Sequence, residues 1–181
     1  MPDLRDFYIP NDLAAANDEW GANCGPGALA AIMGVPVAQV RDRFPHFPAK
    51  AVTNLTQMRA AAPSHVRVTP AAPADPAPRG PFPVVERALV QIQWTGRWTR
   101  PDANRQFAYI DCLKNSHWVA ARLSTSASPG VWVYDVNVNW DGEIPGGWVP
   151  VATWATRIAL MIIEEKKART GWYAREILQL R

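Results

Sequence analysis

The sequence predicts an α+β fold on three observations. Helical spacing of apolar residues fills the first third of the chain. Alternation of apolar and polar residues marks the second half. Between them, Thr69 to Pro83 holds six prolines. The expected arrangement is one domain over residues 1–181. It comprises a helical lobe over about 1–68, a Pro-rich connector over 69–83 and a strand lobe over 84–181. The helical lobe should pack on a C-terminal antiparallel sheet, with a site at the seam.

Each element has its own signal. Residues 1–19 read as an irregular lead-in. A helix is predicted from Cys24 to Met33, with Asn23 as a fitting N-cap and Gly34 as its stop. Pro26 is tolerated because first-turn N–H groups have no intrahelical partner. A second helix is expected across "PVAQVRDRF", with Val37, Val40 and Phe44 on one face. A third covers "TNLTQMRAAA", capped by Thr53 or Asn54, with Leu55, Met58 and Ala62 as its stripe. The proline segment runs extended, either as a stiff connector or as a flap over a cleft. "ALVQIQW" (88–94) sets Ala88, Val90, Ile92 and Trp94 against Gln91 and Gln93. "HWVAARLS" (117–124) and "GVWVYDVNV" (130–138) are strand-like, separated by the turn-rich "TSASP". "VATWATRIALMIIEEKK" returns to helix, with Val151, Trp154, Ile158 and Ile162 buried and "EEKK" as a solvated end. "GWYAREILQLR" fits strand or helix equally.

Composition excludes several classes. Of 181 residues 48% are apolar, so a core can form, and the nine Trp suggest large rings in that core or in a groove. The net charge of +3 comes from scattered basic residues, such as Arg41, Arg43, Lys166 and Lys167, with no basic stripe. No nucleic-acid partner is expected. Cys24 and Cys112 lie in unlike contexts and cannot build a disulfide framework. With His46, His65 and His117 scattered, neither a metal nor another cofactor is implied. The opening "MPDLRDFYIPND" lacks a signal-peptide profile, and no apolar run is long enough to span a bilayer. A cytoplasmic protein with no membrane partner is the expectation.

"WGANCGPGALAAIMG" raises the chemical question. Cys24 sits at the front edge of a helix, where unpaired N–H groups and the helix dipole stabilise a thiolate. Gly25 and Gly27 would keep the space beside the sulfur open. The alternative is a small buried hydrophobe. The strand pair adds to this. With its turn centred on Ser126, His117 falls opposite Asp135; a two-residue shift brings Asn137 there instead, on the same face. That face also carries Val119, Ala121, Leu123, Val131 and Val133, with its polar members at one end. A buried polar group needs a partner. His117 with Asp135 suits either a general base held by a carboxylate or a structural pair closing the sheet edge.

A Cys, then a His, then an Asp in this order resembles the papain-like cysteine peptidase superfamily. The closer likeness is to its compact bacterial branch, the leader-processing peptidases, through "NCGPGALAA", "SHWVAA" and "VYDVN" over about residues 17–140. The chain also resembles phage-encoded proteins of this type through "TNLTQM", "QWTGRW" and "HWVA". The resemblance implies Cys24 as nucleophile, His117 as general base and acid, and Asp135 as orienter. The oxyanion would be met by the Cys24 backbone N–H and one side-chain donor. The family places a Gln six residues before the Cys, where this chain has Asp18; Asn17 is the nearest amide. Asn137, Gly25 and Trp118 are candidates for touching substrate.

The expected function is hydrolysis of an amide or ester in a peptide or protein substrate through a thioester, in a bacterial or phage-infected cell. Two alternatives stand beside it. One is acyl transfer through the same thioester. The other is a catalytically idle fold serving as a phage or host-interaction module.

Overall fold

A six-stranded antiparallel sheet forms the middle of the molecule in the computed structural model, and helices cover both faces. The architecture is α+β. The structure describes residues 7–20, 24–47, 49, 52–70, 81–100, 102–125, 129–138, 146–165 and 169–181. The expected cap Asn23, the turn at Ser126, Lys166, Lys167 and most of the proline segment lie outside them.

The strands are β1 (His65–Val68), β2 (Arg87–Thr95), β3 (Ser116–Ser124), β4 (Gly130–Asp135), β5 (Gly147–Pro150) and β6 (Gly171–Leu180), in the order β1-β6-β2-β3-β4-β5. Alternation along β2 and β3 divides their side chains between two cores. Leu89, Trp118, Ala120, Tyr134 and Leu178 face the N-terminal helices. Val90, Ile92, Val119, Ala121 and Val133 face the later ones.

The first helical layer holds α1 (Leu13–Trp20), α2 (Cys24–Met33), a 3₁₀ segment (Val37–Arg43) and α3 (Leu55–Ala61). Helix α2 is buried from Gly25 to Ile32, and its small residues let it lie close on the sheet. It ends in a Schellman motif: Gly34, at φ +71°, donates to Ala31, and Val35 donates to Ala30. Asn54 caps α3 in a capping box with Gln57. The later chain supplies α4 (Arg105–Lys114), α5 (Val151–Thr153), a π turn (Trp154–Ile158) and α6 (Ala159–Glu165). Trp154, Ile158 and Ile162 are buried on the second face, as their spacing predicts, while Val151 is half-buried.

The two expected lobes are not cleanly separated. β1 comes from the first 68 residues yet pairs with β6 in the sheet. The second half contributes α4, α5 and α6 as well as strands. The lead-in contains α1, and the expected second helix winds as 3₁₀. The ambiguous "GWYAREILQLR" forms β6, an interior strand between β1 and β2.

Candidate active site

Cys24 is the first residue of α2, and its half-buried thiol meets the start of β3. The His117 side chain and the Trp118 backbone N–H both hydrogen-bond to the sulfur. His117 is buried near the start of β3, and its Nε2 lies 2.9 Å from Asp135 Oδ1. With Nε2 engaged, Nδ1 is the ring nitrogen left for the thiol.

The strand register differs by two residues from the one centred on Ser126. Ala121 pairs with Val133 and Ala120 with Tyr134, which projects His117 toward Asn137. Asp135 nevertheless holds the imidazole, because a diagonal neighbour on the same face is within reach of these side chains. β4 stops at Asp135, and the chain turns there. The Asn137 backbone N–H donates to Asp135 Oδ1 at 2.8 Å, closing an Asx turn. The Asn137 side chain donates to the same oxygen at 2.9 Å and stands 3.4 Å from His117 Nε2. Asn137 is thus a neighbour of both groups but off the ladder.

Asp135 is fully buried, and each contact to it comes from an N–H. Its second oxygen accepts from Trp154 Nε1 at 2.8 Å. Nothing in the sequence marked this contact, since a Trp on a buried helical stripe reads as packing.

The electrostatics describe a charge pair. Burial pushes the Cys24 thiol up, but the His117 hydrogen bond and charge and the Trp118 N–H outweigh it, leaving the thiol below its usual value. Burial likewise disfavours the imidazolium, yet Asp135 and Cys24 raise His117 to about 10. Burial works against the Asp135 carboxylate too; His117, Trp154 and Asn137 overcome it and hold its pKa low. Cys112 shows the opposite result, because burial raises its thiol.

The other candidates fall elsewhere. Gly25 does not open space beside the sulfur: a Cβ there would come within 2.5 Å of Thr53 Oγ1. Gly27 is similarly closed by Val136 and Leu13. Trp118 is buried, and its indole N–H donates to the Thr53 carbonyl at 2.8 Å, so its side chain braces the site. Asn17 and Asp18 lie on the exposed side of α1, whose buried face is Leu13, Ala16 and Trp20. The Gln93 amide nitrogen is taken up by the carbonyls of Trp94, Cys112 and Asn115, and its oxygen accepts from Arg175.

Among the described residues no group of three or more His, Cys, Asp or Glu could hold a metal ion. No described helix is long and apolar enough to cross a membrane. No family model, curated protein or solved structure matches the chain.

Proposed function

We propose that this chain is a papain-like cysteine hydrolase cleaving an amide or ester bond through a thioester. The observation that carries the reading is Cys24 at the head of α2 against His117, with Asp135 on the other ring nitrogen. The Cys24 thiolate attacks the carbonyl carbon, and its oxygen becomes an oxyanion. The Cys24 backbone N–H, which as a first-turn group has no partner within the helix, is one donor for that charge. Collapse breaks the bond to the leaving group, which takes its proton from the His117 imidazolium. Neutral His117 then removes a proton from water, whose attack releases the acid and restores the thiolate. The proposed substrate is a peptide or protein, and the proposed compartment is the cytoplasm.

Asn17 is the proposed second oxyanion donor. Asn17→Ala should lower turnover by about 10²–10³ with binding little changed. The competing reading, an idle interaction module, draws on Asp18 standing where the family has Gln, with Asn17 on the exposed side of α1. Two measurements separate them. Iodoacetamide should modify Cys24 near neutral pH much faster than Cys112, and a p-nitrophenyl ester should be hydrolysed with a burst that Cys24→Ala abolishes. Equal alkylation of the two cysteines and no hydrolysis would favour the module.

A further inference from the structure

Trp154 Nε1 is the one indole N–H of its aromatic cluster shown reaching the triad. Its ring is fully buried against Phe82, at 5.6 Å, and Trp172, at 4.9 Å between centroids. Trp172 also buries its indole N–H, but that N–H has no partner. The cluster therefore does not supply acceptors as a matter of course. Trp154 also opens the π turn, where the helix widens. Such turns inside helices are rare and often occur at functional sites.

The Asp135 carboxylate is divided by its donors. Oδ1 faces His117 and Asn137, while Oδ2 faces Trp154. Without the indole, Oδ2 would be buried with this donor missing, and the carboxylate would gain freedom to rotate about its last torsion. Any rotation moves Oδ1 off Nε2 and tilts the ring that faces the thiol. Titratable groups facing this cluster are Cys24 from α2 and His117 from β3; Tyr134, next to Asp135 on β4, points into the other core and feels the cluster only through the carboxylate's charge. From the second helical layer it is the Trp154 indole that faces the carboxylate. Arg169 lies over Trp94, whose ring in turn lies 6.3 Å from that of His117.

We propose that Trp154 is a positioning residue: its indole N–H pins the Asp135 carboxylate so that His117 keeps Nδ1 on the Cys24 thiol. Its use in turnover rests on the hydrolase reading; the pinning does not.

The test is Trp154→Phe in the full chain, with Trp172→Phe as the matched control from the same cluster. Cys24 alkylation by iodoacetamide is followed across pH. Trp154→Phe should slow it about tenfold near pH 6.5, equivalent to about one pH unit in thiol ionisation, with rates converging at high pH. Trp172→Phe should follow the unmodified protein. Identical profiles for the two variants would overturn the proposal and leave Trp154 a packing residue. A second measurement needs no change at position 154. The assigned Trp154 indole N–H resonance should move upfield in Asp135→Asn while that of Trp172 stays; an unmoved Trp154 resonance overturns the proposal. If Cys24 in the unmodified protein alkylates no faster than Cys112, the hydrolase reading fails alone. The His117 ring titration then decides the pinning. A lower pKa in Trp154→Phe than in Trp172→Phe supports it, and equal values overturn it.

Discussion

Asp135 is the residue on which the site turns, because a buried carboxylate persists only where donors surround it. Asp135→Asn keeps the shape but replaces one acceptor oxygen with a donor amide. It leaves at least one N–H among His117, Asn137 and Trp154 without an acceptor. The expected result is a raised Cys24 thiol pKa, seen as alkylation that slows at about pH 6–7 and recovers at high pH. Thermal unfolding should report a loss of about 1–3 kcal/mol. Asn137→Ala, which removes only one of the donors to Oδ1, should leave the alkylation profile nearly intact. The reverse result would move the orienting role to Asn137. The sequence made these residues legible through parity: His117, Asp135 and Asn137 fall on one strand face in either register. It left the choice between them open, because the Asx turn that takes Asn137 off the ladder depends on where β4 stops.

At the scale of the element, α2 is held in place by an absence of side chain. Gly25 abuts Thr53, whose carbonyl accepts the Trp118 indole N–H. Gly25→Ala forces that segment outward and disturbs the strand that carries His117. It should destabilise the protein by about 1–3 kcal/mol, as overpacking does, and slow Cys24 alkylation. Adding Thr53→Ala should recover much of the loss in a double-mutant cycle; additive losses would show that the contact is not the cause. Helix α2 and its glycine stop were readable because their signals are local. β6 was not, for two reasons. A bulge between Gln91 and Ile92 shifts its register against β2 and breaks the alternation. Its Arg and Glu also suggest a wet surface, whereas Glu176 is buried and paired with Arg67 from β1 at 2.8 Å. α1 carries helical spacing at Leu13, Ala16 and Trp20, a signal short enough to pass for an irregular segment.

For the whole molecule, the charge pair ties stability to pH from two sides. The folded state holds the His117 proton up to about pH 10, whereas an unfolded histidine loses it near 6.5. That stabilisation is complete below about 6.5 and is lost as pH rises through the folded value. Cys24, with its pKa lowered, contributes in the opposite sense: its stabilisation is present above the unfolded thiol value and lost as pH falls through the folded one. The two linkages oppose each other across neutral and mildly alkaline pH. Cys24→Ala removes one of them, so melting temperature should fall more steeply with pH between about 6.5 and 9 than in the unmodified protein. Parallel curves would mean that the thiol and imidazole do not exchange charge. At about pH 6, where the thiol linkage is weakest, the variant should melt within a few degrees of the unmodified protein, since little core volume is lost. The apolar face that β2 and β3 share through Val90, Ile92, Val119 and Ala121 was visible as alternation, whereas the second core on the opposite face, with Leu89, Trp118 and Ala120, was not. The mixing of the expected lobes was not visible either, because strand order follows long-range pairing that no local window contains.

That strand order has a consequence for how the chain is made. β6 is the last strand in sequence, yet it lies between β1 and β2 and is the neighbour through which β1 joins the sheet. A ribosome delivers β1 about a hundred residues before the partner it needs, at roughly 5–20 residues per second. Throughout that interval the edge of β2 that β6 will cover stays open, and β1 waits unpaired. Cys24 has already been made by then, but the sheet that carries His117 and Asp135 has not closed. Completion of the sheet that carries His117 and Asp135 is thereby deferred to the last strand made, so a nascent chain holds an open β2 edge until its final residues are delivered.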